Sequence, residues 1–463
     1  MLKNLRMPNT FVLLFSLLIM IAIATWLVPG GQYETHVLDG KTLIDPASFH
    51  YITANPQGFV AVMTAPIKGF VEAALIIGFI LIVGGAFGVL QKTEAIDSMI
   101  KAVAQANRRT PWVRALIIPV FITLFSLGGA TFGMAEEAIP FVLIFIPLAL
   151  ALGYDSIIGV SIPFVGSQVG FAAAFLNPFN VGIAQKIADV PMFSGIGFRF
   201  IVWAIATALT IAFLMWYAAR IKKDPTLSPV YALDEERRQH AQANDLAEFS
   251  GLTGTHKLVL FIFASALITM VVGVVKYGWF IEEIAALFLV MSILIALVGR
   301  LNSDQFVDTF IHGAKDLMTT ALVIALARAT VIVARDAHII DTILHGLMPL
   351  IQSSNPIFAA HKMLGIQMVI NFFIHSGSGQ AALTMPIMAP LADLVGISRQ
   401  TAVLAFQFGE FTTSMIPTSG ITVGVLALAK IPWTTWAKWI IPLQLIYMVL
   451  ALVMLAIACQ MGW

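Results

Sequence analysis

The sequence predicts an all-α, multi-pass membrane protein built as two inverted-topology repeats with re-entrant hairpins and broken helices. Three observations carry that expectation. The 463 residues are 59% hydrophobic and only 11% charged, with a mean hydropathy of +0.91, whereas soluble domains carry roughly 25% charged residues. Polar, Gly-rich interruptions occur twice in otherwise apolar sequence, as GGATFGMAEEAIPF (128–141) and NFFIHSGSGQAALTMP (371–386). Each is followed by a Pro-anchored apolar stretch, PLALALG from 147 and PLADLVG from 390, an offset of 243 residues. Interrupted hydrophobic segments at matching places in two halves point to the binding site of a secondary transporter.

The elements follow in order. A span needs roughly 20 apolar residues, and 10–28, 73–91, 197–219, 257–275, 279–299, 316–334 and 436–458 meet that length. The first run has 19 residues, too long for a signal-peptide core of roughly 7–15, and is expected to stay as the first helix. Residues 93–109 and 338–352 are amphipathic and are expected along the membrane surface. The segments 111–153 and 355–396 read as hairpins. Residues 157–190 and 398–430 read as broken helices. The first would otherwise be about 50 Å long against a hydrocarbon core of about 30 Å. Its break falls at Asn177-Pro178-Phe179-Asn180, and the second break at Ser414–Gly420. Proline removes a backbone donor, and unwound backbone at membrane depth survives only when buried or lining a cavity.

Lys and Arg set the orientation. Lys3 and Arg6 precede the first helix, Lys92, Lys101, Arg108, Arg109 and Arg114 follow the second, and Arg220, Lys222, Lys223, Arg237, Arg238 and Lys257 crowd the polar centre of the chain. All become cytoplasmic when the N-terminus is inside. Counting crossings from there makes 111–196 a net single crossing and starts the second hairpin from the opposite side. The expected units are therefore a first repeat (1–219), a cytoplasmic, mobile linker loop (220–256) and a second repeat (257–463), with the C-terminal Trp463 outside.

The two hairpin tips carry the candidate chemistry. Gly133-Met134-Ala135-Glu136-Glu137 sets two carboxylates at a turn in apolar sequence, and a charge at membrane depth costs several kcal/mol, from roughly 2.5 upward. The bland alternative places this tip at the outer interface. His375-Ser376-Gly377-Ser378-Gly379-Gln380 is the second tip. Its glycines admit close approach of a ligand, and helix starts after both tips aim free N–H groups and a positive dipole end at an anion. Ser376, Gly377, Ser378, Gly379 and Gln380 are candidate substrate residues, with Glu136, Glu137, Asn177, Glu410, Thr418 and Ser419. Gln168 and Gln407 add polar groups on the broken spans. Oxygens at Gly133, Asn177, Asn180, Thr413, Ser414 and Thr418 suit a hard cation such as Na⁺. Glu410 either serves substrate or proton, or forms a structural pair with Arg328. His375 reads more simply as a capping histidine, and Gly84, Gly85 and Gly88 as close helix contacts. The one cysteine, Cys459, excludes an intramolecular disulfide and a thiolate cluster.

GGAFGVL (84–90), LFSLGGATFGMAEEA (124–138), LNPFNVGIAQ (176–185) and FFIHSGSGQAALTMPIMAPLADLVGISRQTAVLAFQFGE (372–410) resemble the C4-dicarboxylate anaerobic carrier (DcuC-type) family of the ion-transporter superfamily, in its YfcC-type branch. The resemblance covers nearly the whole chain. It implies a homodimer in which a transport domain, here 111–190 and 355–430, moves like an elevator against a scaffold formed by the flanking spans. The family name implies dicarboxylates, while relatives include basic amino acid (arginine/ornithine) antiporters.

The residues favour the second substrate class. A dianion wants two cationic receptors, yet the expected transport domain offers carboxylates. Helix N-termini can take an amino acid's carboxylate, and glutamates its amines. The expectation is an inner-membrane basic amino acid antiporter or ion-coupled transporter, with a C4-dicarboxylate carrier as alternative. The expected partners are a small-molecule substrate, the lipid bilayer and a second copy of the chain, with no nucleic acid. No cofactor is expected, only a coupling ion, Na⁺ or H⁺. A membrane-embedded enzyme using Glu136 or Glu137 with His375 as acid and base has no nucleophile, metal or cofactor motif to support it.

Overall fold

The computed structural model describes residues 10–38, 41–45, 47–109, 112–243, 251–279, 281–352 and 355–463. Lys3 and Arg6, used above for orientation, lie outside the described residues, as do 244–250 of the expected linker. The chain opens with α1 (Thr10–Leu27). Two short antiparallel ribbons follow, Gly31–Gln32 with His50–Tyr51 and Thr35–Leu38 with Lys41–Ile44. α2 (Phe59–Glu72) precedes α3 (Ala74–Lys92) and the amphipathic α4 (Ala95–Arg109).

α5 (Trp112–Phe132) then turns into a 3₁₀ stretch, Glu136–Phe141, and returns as α6 (Val142–Ala151). α7 (Ser156–Ser161) and α8 (Pro163–Ala172) lead to non-helical backbone, a π turn at Pro178–Gly182 and α9 (Ile183–Ile187). The long α10 (Ile196–Lys223) is followed by α11 (Tyr231–Ala243), α12 (Gly254–Tyr277) and α13 (Ile281–Val298). Next come α14 (Ser303–Asp316), α15 (Met318–Asp336), α16 (Ile339–Leu347) and α17 (Pro349–Gln352). α18 (Pro356–Phe373) turns at Ile374–Ser376 into α19 (Gly377–Leu394). α20 (Arg399–Gly409) tightens to 3₁₀ over Glu410–Ser414, breaks, and resumes as α21 (Gly420–Leu428) before α22 (Trp433–Met461).

Among the described residues, seven helices are long and apolar enough to cross a membrane: α1, α3, α10, the Gly254–Val274 part of α12, α13, α15 and α22. They coincide with the seven spans expected from sequence. Both expected breaks are present, and local chemistry accounts for each. Pro178 has no N–H, while the Asn177 side chain accepts from Phe179 N at 2.8 Å and so turns the chain. After the second break, Ser419 accepts from Thr422 N at 3.4 Å and restarts the helix.

Small residues set close helix crossings. A Cβ on Gly170 would sit 1.9 Å from Ser126 O, and one on Gly129 2.2 Å from Ser167 O, so α5 and α8 touch backbone to backbone. Gly84 and Gly88 do the same for α3. A Cβ on Gly313 would lie 2.3 Å from Gly84 O, so the expected close contact is real and its partner is α14, an amphipathic helix the sequence reading passed over.

The linker expectation needs correction. α10 runs on to Lys223, and α11 is held, not loose. Asp234 is 1% exposed and accepts Ser156 N at 2.7 Å. Arg237 pairs with Asp234 at 3.1 Å and donates to Ser156 Oγ and to Ala429 O. Arg238 donates to Tyr154 O at 3.0 Å. Two charged residues one turn apart on α11 thus join the start of α7 to the end of α21. Unpaired burial of either charge would be costly, which is why the pair and its hydrogen bonds form together.

Candidate functional site

The two hairpin turns and the two helix breaks meet around one cavity of about 310 Å³. Of the residues expected at the site, Gly133, Glu136, Ser376, Gly377, Ser378, Glu410, Thr413, Thr418 and Ser419 line it. Glu72, Gln168, Arg328 and His375 line it too. The first tip enters through Gly133, whose φ of +78° lies in the left-handed region. A Cβ there would sit 2.8 Å from Asn177 Oδ1 and 2.9 Å from Phe179 Cδ2. Glycine therefore meets both demands of this turn, backbone geometry and space.

The second tip enters as the start of α19. Ser376 caps it by accepting Gly379 N at 3.3 Å. The N-termini of α19 and α21 both open on the cavity, at Gly377 and Gly420. Their unpaired N–H groups and dipoles make favourable surroundings for a carboxylate.

Most of the remaining expected residues stand behind these walls, while Thr418 and His375, in the lining itself, are tied to backbone carbonyls of α18. Glu137 is buried and accepts Ala135 N at 2.9 Å. Asn177 donates to Gly129 O at 3.3 Å, and Asn180 to Phe171 O at 2.8 Å. Gln380 donates to Gln367 O at 2.9 Å and to Gln367 Oε1 at 2.8 Å, fixing α19 against α18. Gly379 packs over Ser376. Ser414 Oγ accepts from Gln444 at 2.9 Å. Thr418 donates to Phe372 O at 2.5 Å. His375 bonds Asn371 O through Nδ1 at 3.0 Å, in keeping with a capping role.

Two buried polar groups in the lining have no protein partner among the described residues: Glu410 Oε1 and Gln168 Nε2. Their residues are 2% and 5% exposed. Glu410 Oε2 accepts from Thr413 at 3.1 Å, and Thr413 accepts from Asn371 at 2.9 Å, so the carboxylate is held on one side and open on the other. Leaving such groups unpaired costs about 1–3 kcal/mol each, more for a charge. One unpaired acceptor and one unpaired donor, on residues that line the same cavity, favour a polar ligand there.

Arg328 does not pair with Glu410. It meets Glu72 at 2.5 Å, and Arg335, two turns along the same face of α15, meets Glu72 at 2.7 Å. Sequence reasoning missed Glu72 because it assigned no element to residues 61–72, just before the span that begins at 73. The available signal was a lone carboxylate within FVAVMTAPIKGFVEAALIIG (59–78). Gly69 brings it to this place. A Cβ there would lie 2.1 Å from Ala325 O, so α2 lies directly on α15.

The chain is 39% identical over 472 aligned positions, spanning 93% of this chain and 92% of its partner, to an Escherichia coli (strain K12) protein named "Putative basic amino acid antiporter YfcC". Two solved transporter structures align at 17% identity and a TM-score of 0.43, each over 98% of this chain: Alcanivorax borkumensis YdaH, over 99% of its length, and Neisseria gonorrhoeae MtrF, of a class of antimetabolite efflux pumps, over 96%. The profile of the C4-dicarboxylate anaerobic carriers matches residues 7–460. This multi-pass membrane protein therefore belongs to the C4-dicarboxylate anaerobic carrier family, a family of transporters.

Proposed function

We propose that the chain is an inner-membrane secondary transporter that exchanges basic amino acids, or accumulates them by ion coupling. The observation that supports this substrate class is the charge arrangement of the cavity. Glu136 and the half-satisfied Glu410 stand in it without a cationic partner among the described residues, while Arg328 is engaged by Glu72, whose carboxylate it shares with Arg335. A zwitterion with a cationic side chain complements that arrangement. Its ammonium groups meet the glutamates, and its carboxylate meets the starts of α19 and α21. A C4-dicarboxylate would place two anions beside two carboxylates.

In this proposal residues 1–219 and 257–463 are inverted repeats joined through 220–256. The hairpins 111–153 and 355–396 and the broken helices 157–190 and 398–430 move together as a transport domain in a homodimer. The N-terminus is cytoplasmic and Trp463 outside. Coupling uses either Na⁺, through oxygens at Gly133, Asn177, Asn180, Thr413, Ser414 and Thr418, or H⁺, through the buried glutamates. Dependence of uptake on Na⁺ at fixed pH separates the two.

The test is counterflow in proteoliposomes loaded with lysine, arginine or ornithine, against liposomes loaded with succinate or fumarate. Exchange of the amino acids alone is the expected result. Exchange of the dicarboxylates alone overturns the substrate assignment. Glu410→Gln sharpens it, because cationic substrates should lose about 1.5–3 kcal/mol of binding, tenfold or more in Kd, while neutral analogues lose less.

A further inference from the structure

A second cavity, of about 370 Å³, lies far along the chain from the hairpin turns, between the end of α10 and the start of α22. Its upper wall carries Arg220 and Lys438, both exposed, and Thr435. Neither cation has an ion-pair partner among the described residues, and Arg220 instead lies 5.8 Å from the centroid of the Trp216 ring. Lys222 and Lys223 add charge at the same helix end. The nearby carboxylate of Asp224 is engaged, accepting Thr226 N at 3.0 Å and Thr226 Oγ1 at 2.6 Å.

Below the cations the wall turns apolar. Phe213 lies seven residues before Arg220, about 10 Å along the axis, and Pro442 four residues after Lys438, about 6 Å along it. Both directions lead into the apolar stretches of their helices. One donor in this wall is left over: Trp439 is 9% exposed, and its Nε1 is buried with no acceptor among the described residues.

From this polar-to-apolar order we infer that the cavity is a binding site for an anionic phospholipid. The phosphate sits between Arg220 and Lys438, and the glycerol esters and chain starts lie against Phe213, Trp439 and Pro442. A basic pocket between spanning helices is suited to anionic headgroups. A free phosphate would use the cations but leave the apolar half empty.

The test uses the full chain, delipidated in a neutral detergent, with binding read by native mass spectrometry and by the thermal midpoint. The probes are phosphatidylglycerol, phosphatidylcholine and inorganic phosphate. Phosphatidylglycerol should bind and raise the midpoint, and phosphatidylcholine should do so weakly. Arg220→Gln with Lys438→Gln should weaken phosphatidylglycerol at least ~10-fold. Lys315→Gln, at an exposed cation on α14, should leave it unchanged. If the double variant does not fold, Lys438→Gln alone, at an unpaired surface side chain, decides. Equal phosphatidylglycerol binding in wild type and variant overturns the inference. So does a midpoint rise with inorganic phosphate that matches the lipid's, which would make this a soluble-anion site.

Discussion

The two hairpin turns reach the same cavity by different chemistry. The turn at 133–137 brings carboxylates, on a tight 3₁₀ start with no side-chain cap, entered through a left-handed glycine. The turn at 374–380 brings no charge. It offers an N-capped α-helix of 18 residues, with Ser376 and glycines at its start. One turn is a charge in a fixed place, and the other is a dipole with exposed donors. Paired across about 310 Å³, they define a receptor for a molecule with a cationic end and an anionic end. Neither turn alone would distinguish an amino acid from an amine or an acid.

Substitutions that exchange these characters test the contrast. The largest effect is expected from Glu136→Gln, which removes the charge of the first turn and keeps its shape. Cationic substrates should lose about 1.5–3 kcal/mol of affinity, and their neutral analogues markedly less, as read by competition binding. Equal losses for both would make Glu136 a structural residue.

Next comes Gly133→Ala. A left-handed conformation costs a residue with a Cβ roughly 1–2 kcal/mol, and the crowding at Asn177 and Phe179 adds to it. The thermal midpoint should fall. The matching change in the second turn should act in the opposite sense. Gly379→Ala sits in a helix, with the nearest atoms to the new Cβ at 3.4 Å, and should gain up to about 1 kcal/mol. A midpoint that falls for both would mean that the second turn needs flexibility rather than a capped helix.

The smallest effect separates a cap from a ligand. Ser376→Ala should cost about 1 kcal/mol of helix start, and Ser376→Gly only a few tenths. A Ser376→Gly variant with intact stability but weakened binding of every carboxylate-bearing substrate would make the hydroxyl a direct contact.

Much of this architecture was legible in the sequence, for physical reasons. Apolar length alone locates the seven spanning helices, because a lipid environment leaves few alternatives. Pro178 and the Ser414–Gly420 stretch locate the breaks, because a missing donor and helix-capping side chains act locally. The site's protein-only ion pair was not legible. Glu72, Arg328 and Arg335 come together only because Gly69 lets α2 lie on α15, more than 250 residues away in sequence as the Arg335–Glu72 separation of 263 shows. The polar walls were half legible. Asn180, Gln380 and Ser414 have the composition of ligand groups, yet each is engaged in holding one helix to another, and composition does not record which neighbour an amide finds. Arg199 was passed over as well. It is fully buried, bonds Gln400 at 3.3 Å and Gln407, and lies 5.3 Å from the Trp463 ring, so α10, α20 and the C-terminus meet at its side chain.

The α11 clamp changes what a cut in this chain would do. Asp234 and Arg237 lie on the first half's side of the 244–250 segment, yet Arg237 reaches Ala429 in the second half. The halves are therefore joined by the peptide chain and, beside the packing of α2 on α15 and α3 on α14, by a side chain that survives its scission. Two polypeptides divided after Ala243 would keep that adhesive on the first fragment, ready to receive the second. Divided instead between Asp224 and Tyr231, the same two polypeptides would exchange roles. α11 would then travel with the second fragment and reach back to Ser156, so that fragment complementation reports directly on which half owns the fastening.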